Sequence, residues 1–251
     1  MGVLDGQWVV ITGAAGGIGG AMVQAFRNAG ARVVACDRAA QALEAVDAER
    51  KEAFELTDSD ACKAALERIE CAVGVPDAVV SNAGYTRAET FDQVDDEVWA
   101  NEIAINLTGA RNVTAPLLPK MRLRGRGVFV FISSVNALAH FGNPAYSAAK
   151  AGLVAYARAI ATEYGRHGVR ANTLCPGSVR TASWDHRLAR DPGVIDRVSR
   201  LYPLGRIVEP IEVANAAVFL ASPLSSGITG VTLPVDAGLT AGNLPFIEQI
   251  T

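Results

Sequence analysis

A tyrosine and a lysine stand four residues apart in the stretch NPAYSAAKAG, residues 143–152, as Tyr146 and Lys150. On a helix that spacing places them one above the other on the same face. The neighbours are small and apolar, which is the composition of a buried helix face and not of a solvated one. A free tyrosine loses its proton near pH 10, too high for a base at neutrality. Bringing that value to about 7 requires roughly 4 kcal/mol of preferential stabilisation of the phenolate. An ammonium one helical turn away is one source of it. A pair of solvated surface side chains is the plain alternative.

A second set of residues suits an anion. The stretch VVITGAAGGIGGA places Gly13, Gly17 and Gly19 between a Val- and Ile-rich run and a helical one. Without a Cβ these positions allow a tight turn and a close approach of backbone to ligand. A helix starting near Gly17 points free N–H groups and its positive dipole end at that ligand, which suits a pyrophosphate. The spacing is G-x-x-x-G-x-G and differs from the G-x-G-x-x-G of the general dinucleotide fold. The next apolar run, ARVVACD (31–37), ends in Asp37, about 20 residues beyond the glycines, where an acid accepts hydrogen bonds from ribose hydroxyls. Its charge would repel a 2′-phosphate, so NAD is expected over NADP. The adjacent Arg38 could engage such a phosphate or be a solvated surface charge; Asp37 is expected to dominate.

The elements that must carry these groups alternate in type. Strands are expected at 8–12, 31–37, 77–84, 127–134, 169–177 and 230–238, and helices at 19–30, 58–74, 96–121, 146–165 and 211–222. Asp58 or Ser59 would cap the second helix. A polar segment runs from about 180 to 200. The strands are continuously apolar, as when both faces are covered. Such alternation means an open, doubly wound parallel sheet with helices on both faces, an α/β fold. No repeat or linker interrupts it, so one domain is expected over 1–251, with 239–251 as a tail.

The composition is that of a globular chain. Of 251 residues, half are hydrophobic and a fifth charged, and the formal net charge of −3 gives no nucleic-acid footprint. Cys36, Cys62, Cys71 and Cys175 lack metal-type spacing, so no metal site is expected and reduced thiols of a cytoplasmic protein are. No run approaches the ~20 apolar residues of a membrane span. The first residues lack the basic start and apolar core of a signal peptide, and Gly6 stands where an acylation signal would carry Ser or Thr.

Seven motifs occur in order: TGAAGGIG (12–19), SNAG (81–84), NLTG (106–109), ISS (132–134), YSAAK (146–150), PGSVRT (176–181) and VDAG (235–238). In these the chain resembles the short-chain dehydrogenase/reductase family from about residue 5 to 240. The resemblance implies a Rossmann fold and hydride transfer between a nicotinamide and a CH–OH group. It makes Tyr146 the general acid/base. Lys150 then lowers the tyrosine's pKa and bonds the nicotinamide ribose. Ser134 would hold the substrate oxygen, Ser133 being the competing choice, and Asn106 would bind a water relaying protons from Lys150. A satisfied amide inside a helix is the plainer reading of Asn106. On the cofactor side the resemblance carries over Gly13, Gly17, Ile18, Gly19, Asp37, Arg38, Asn82, Ala83 and Gly84. Pro176 and Gly177 join them, and Val179 and Thr181 would hold the carboxamide. Ser81 replaces the commoner asparagine, and Glu55 and Leu56 replace the usual Asp-Val pair near the adenine.

The substrate is less constrained. Segments 135–145 and 182–200 should shape its pocket and offer Asn136, His140, Asn143, Trp184, His186 and Arg187 beside Ser134 and Tyr146. A polar set suits a sugar or polyol, and with NAD the oxidation direction. A 3-oxoacyl-thioester reductase of fatty-acid synthesis is the alternative enzyme, and a non-catalytic nucleotide-binding sensor the alternative of another class. The resemblance also implies a homotetramer. In the tail, Gly242 and Pro245 argue against a continuous helix, so an extended segment is expected. Leu244, Phe246, Ile247 and Ile250 would bury it against a neighbouring subunit near that subunit's pocket; a frayed end is the alternative.

Overall fold

The computed structural model describes residues 2–86 and 90–250. In chain order it holds β1 (Trp8–Thr12), α1 (Gly17–Asn28), β2 (Arg32–Asp37), α2 (Ala40–Glu44), β3 (Arg50–Ala53), α3 (Ser59–Val73) and β4 (Ala78–Ser81). Then come α4 (Asp96–Ile103), α5 (Gly109–Thr114), α6 (Leu118–Arg124), β5 (Gly127–Ile132), α7 (Pro144–Tyr164) and β6 (Val169–Pro176). The chain finishes with α8 (Asp185–Arg190), α9 (Val194–Ser199), α10 (Pro210–Ala221), β7 (Thr232–Val235) and α11 (Leu244–Ile250).

The strands form one parallel sheet in the order β3-β2-β1-β4-β5-β6-β7. Alternate strand residues feed two cores because successive side chains point to opposite faces. Val9, Ile11, Val33, Val80, Val130 and Ile132 pack with α1 and α10 on one face. Val10, Val34, Val79, Phe129, Phe131 and Val169 pack with α3, α5, α6 and α7 on the other. The expected doubly wound sheet is therefore present. The strand order reverses between β1 and β4, and a crevice opens at the carboxyl ends of the strands there, the usual ligand position in such sheets.

Four expectations need correction. The helix expected over 96–121 is three helices. A wide π-turn at Ala104–Thr108 separates α4 from α5, and a turn separates α5 from α6. Strand β3 was not expected, because its sequence RKEA has no apolar pattern; it is an edge strand and mostly exposed. The polar segment near 180–200 folds into α8, α9 and a 3₁₀ turn at Ala182–Trp184. The tail is helical at Leu244–Ile250, not extended: Pro245 occupies the first turn, where no backbone N–H is needed, and the Asn243 side chain accepts from Phe246 N at 3.1 Å. At the second helix the cap is Asp58, which accepts from Asp60 N and Ala61 N.

Candidate active site

The glycine loop is built by contact as much as by turn geometry. Gly13 has φ +65, and a Cβ there would lie 2.8 Å from Ala83 Cα. A Cβ on Gly19 would lie 2.0 Å from Gly13 O, and one on Gly17 would lie 2.8 Å from the Thr181 methyl. Backbone therefore approaches backbone at Gly13 and Gly19 and the Thr181 side chain at Gly17, and larger residues would force these contacts apart. No side chain caps the N-terminus of α1, so its first N–H groups face the crevice. The Thr12 hydroxyl accepts from Asn82 N and Ala83 N, both at 3.1 Å, and the Asn82 amide donates to Thr12 O and Gly13 O. Asn82 thus ties β4 to the glycine loop.

A cavity of about 320 Å³ runs along this loop. Gly13, Gly17, Ile18, Gly19, Asp37, Arg38, Glu55, Leu56, Asn82, Ala83, Gly84 and Thr181 all line it. Asp37 ends β2; its carboxylate accepts from Ala15 N at 3.1 Å and Ala39 N at 3.2 Å, which turns it toward the loop. Arg38 and Glu55 are exposed. Thr12, Gly16, Cys36, Phe54, Tyr85 and Ile105 also line the cavity and were not expected to from sequence. Pro176, Gly177 and Val179 lie along the end of β6 and the loop after it. Gly177 packs against Tyr202 and Asp236, and Val179 pairs with Val208. The cradle of glycines, the free helix N-terminus and the acid at the end of β2 fit a dinucleotide.

Tyr146 and Lys150 lie on the first two turns of α7, Lys150 buried at 2 % exposure and Tyr146 partly so. Lys150 Nζ donates to Ile132 O at 2.9 Å and stands 5.3 Å from the Tyr146 ring centre. The two serines divide their work. The Ser133 hydroxyl donates to Lys150 O at 2.8 Å, clamping β5 to α7. Ser134 accepts from Asn136 N and donates to Asn136 Oδ1, both at 3.1 Å, beside the Tyr146 phenol. Asn106 sits in the π-turn, 1 % exposed, its Oδ1 accepting from Tyr85 N at 3.0 Å. A Cβ on Gly84 would lie 2.9 Å from Asn106 Oδ1 and 3.0 Å from Lys150 Nζ, so both groups crowd Gly84 and leave less room than a methyl needs.

Burial sets the charge states that protein groups alone impose. It pushes the Tyr146 phenol up to about 12, with the neighbouring Ser134 hydroxyl pulling the other way and the charge of Glu102 adding to the rise. It lowers the Lys150 ammonium to about 8. Lysine then loses its proton before tyrosine does, so protein groups by themselves do not make a base of Tyr146. A further positive charge beside the phenol is needed.

The segments expected to shape the substrate pocket are largely committed to their own structure. The Asn136 amide donates to Gly142 O and Ser147 Oγ, and Asn143, at φ 52, precedes α7 with its carbonyl accepting from Ser147 and without a side-chain capping bond. Trp184 donates its indole N–H to Val179 O and carries Arg187 over its ring at 5.3 Å. His140 and His186 are exposed. The same surface is more apolar than its sequence suggested: Leu138, Phe141 and Leu201 line an open groove with Leu239 and Pro245 from the tail. Sequence reading also passed over Glu102, buried one turn before Asn106. Its signal was a carboxylate four residues ahead of the NLTG asparagine. Among the described residues no cluster of metal-ligating side chains occurs and no helix is long and apolar enough to cross a membrane.

Comparison with known proteins agrees with this geometry. A family model described as enoyl-(acyl carrier protein) reductase matches residues 13–240. The crystal structure of an oxidoreductase of the short chain dehydrogenase/reductase family from Burkholderia thailandensis superposes with a TM-score of 0.92 at 41% identity, covering 98% of this chain and 97% of that one. An acetoacetyl-CoA reductase of Rhizobium meliloti is 37% identical over 91% of this chain and 96% of its own length. A D-threitol dehydrogenase of Mycolicibacterium smegmatis is 34% identical over 94% of each.

Proposed function

The chain belongs to the short-chain dehydrogenase/reductase family of oxidoreductases, and we propose that it is an NAD-dependent dehydrogenase of a secondary alcohol, most simply a sugar or polyol. The observation that carries the reading is the Tyr146–Lys150 pair on the buried face of α7. Asp37, whose carboxylate lines the cavity, favours a free 2′-hydroxyl over a 2′-phosphate. The relative named D-threitol dehydrogenase supports the polyol class.

When bound, oxidised nicotinamide accepts a hydride and brings positive charge to the site. Gly13, Gly17 and Gly19 with the N-terminus of α1 would hold the pyrophosphate, Asp37 the ribose, and Thr181 the carboxamide end. Ser134 orients the substrate hydroxyl and donates to its oxygen as charge builds there. Tyr146 takes the hydroxyl proton, with the ammonium of Lys150 favouring the phenolate. Asn106, which borders Gly84 together with Lys150, would hold a water through which the proton leaves. In the reverse direction Tyr146 protonates a carbonyl oxygen.

The second reading, reduction of a 3-oxoacyl thioester, is favoured by the acetoacetyl-CoA reductase relative and by the apolar groove at Leu138 and Phe141. The test is NADH absorbance with a panel of polyols and sugars in one direction, and acetoacetyl and enoyl thioesters in the other. Turnover of polyols with NAD supports the first reading, and turnover of acetoacetyl thioester alone supports the second. A protein that binds cofactor but turns over neither would be the non-catalytic sensor. As family members, such chains are proposed to work as homotetramers in the cytoplasm, with the helical tail and its exposed Phe246, Ile247 and Ile250 covered by a neighbour.

A further inference from the structure

The Ser134 hydroxyl meets the same residue at both ends. Its Oγ accepts from Asn136 N at 3.1 Å, where Ser134 caps a 3₁₀ turn at Val135–Ala137, and donates to Asn136 Oδ1 at 3.1 Å. The direction of the second bond follows from the far end of the amide. Asn136 Nδ2 lies 2.8 Å from Gly142 O, and a carbonyl oxygen only accepts, so the NH₂ end must face it. Oδ1 is then turned to Ser134, and between two oxygens the serine must supply the proton. The backbone N–H of Asn136 fixes where Oγ stands; its side chain fixes where the proton of Oγ points.

The network runs on to α7. Asn136 Nδ2 also donates to Ser147 Oγ at 3.2 Å, and Ser147, next to Tyr146 in the first turn of α7, shares its own proton between Gly142 O and Asn143 O. The fold does not depend on this bridge, because Ser133 Oγ to Lys150 O and Lys150 Nζ to Ile132 O already tie β5 to α7. What the Asn136 side chain adds is the state of the serine. A hydroxyl has one proton and two lone pairs. With the proton on Oδ1 and one lone pair on Asn136 N, one lone pair is left for the phenol beside it or for a substrate hydroxyl. To donate to a reacting oxygen, Ser134 must turn its proton away from Oδ1. Charge-assisted hydrogen bonds are about twice as strong as neutral ones, so the turn is favoured as negative charge builds on that oxygen.

We infer that Asn136 is a positioning residue for the proton of Ser134: its Oδ1 holds the hydroxyl in the resting site and yields it to the reacting oxygen as charge develops there. The inference rests on the role of Ser134 proposed above. Asn136 touches neither substrate nor cofactor in this account and acts through Ser134. A residue expected from sequence to bind substrate is thereby assigned to the serine that does.

A double-mutant cycle between Ser134 and Asn136 tests this, with whichever substrate the panel identifies. N136A removes the amide; N136L removes it at nearly the original volume and is the second variant should N136A fold poorly. S147A loosens the same loop without touching Ser134. S134A is expected to lower kcat about 10²-fold, and N136A or N136L about tenfold, with Kd for NAD by calorimetry within a few-fold of wild type. S134A/N136A should turn over like S134A, because no hydroxyl is left to hold. S147A should keep kcat within about threefold. N136A at the wild-type rate, or a further tenfold loss when N136A is added to S134A, overturns the inference and leaves the dehydrogenase reading intact. An S134A enzyme at the wild-type rate instead removes the serine from the proposed function, and the inference with it. Thermal unfolding of wild type, S134A, N136A and S134A/N136A reads the pair without turnover. The melting loss of the double variant is expected to fall short of the summed single losses by about 2–4 °C. Additive losses contradict the pairing even if a substrate is found, and non-additive losses support it even if every substrate in the panel fails.

Discussion

The ammonium nitrogen of Lys150 lies 5.3 Å from the centre of the Tyr146 ring, one helical turn along α7. Its hydrogen bond to Ile132 O ties this pair to the end of β5, two residues before Ser134. Helix, strand and loop therefore converge on two side chains whose charge states are coupled.

That coupling has a consequence for stability. Lys150 is lowered from 10.5 to about 8 in the folded chain, so between these values the unfolded chain binds the extra proton and stability rises with pH. Below about pH 8 the burial cost is carried in full, about 3 kcal/mol from the pKa difference, offset in a comparison with methionine by about 1 kcal/mol for the bond to Ile132. Lys150→Met without added cofactor should therefore melt a few degrees higher than wild type near neutrality. The gap should close as pH climbs from 8 to 10.5. Thermal unfolding at several pH values checks this; a gap independent of pH would contradict it.

Cofactor choice should turn on Asp37. Wild type is expected to prefer NAD over NADP, and Asp37→Ala should narrow the ratio of kcat/KM about tenfold, as removal of ~1–2 kcal/mol of like-charge repulsion at a partly exposed site implies. If wild type used NADP better, the exposed Arg38 would outweigh the carboxylate.

Gly19→Ala should be felt at the cofactor before it is felt at the substrate. Its Cβ would stand 2.0 Å from Gly13 O, so the loop must open. The expected outcome is a loss of about 1–3 kcal/mol of stability and a rise in Kd for NAD of at least tenfold by calorimetry. Unchanged Kd would remove the glycine loop from the account.

Deleting 243–251 should loosen the oligomer or raise KM while NAD still binds, because Phe246, Ile247 and Ile250 on the last helix are more than half exposed in the single chain. Light scattering and kinetics read this together. Unchanged size and KM would make the tail a passive end.

How far these features could be read ahead depended on whether their signal was local. The glycine loop, Asp37 and the Tyr146–Lys150 spacing each lie within one or two turns of chain, where residue type and period carry the geometry. The charged strand β3 carries no pattern of its own and exists because β2 leaves an open edge for it. The π-turn at Asn106 replaces the regular helix that periodicity suggested, and the asparagine amide is used across space, by Tyr85. Glu102 was not singled out from sequence although it is buried. Its burial is a property of packing, not of composition. Pro245 was read as a helix breaker although the first turn tolerates it. Asn136, expected to meet substrate, uses its amide on Gly142 O and Ser147 Oγ of its own loop.

The central claim is that Tyr146 is the proton acceptor of a nicotinamide-dependent dehydrogenase, and Tyr146→Phe tests it most directly. Steady-state NADH formation with the preferred alcohol and NAD binding by calorimetry are measured on the same preparation. Loss of kcat by about 10³-fold with Kd for NAD within a few-fold of wild type is the predicted result. A Tyr146→Phe enzyme that turns over at the wild-type rate would contradict the account.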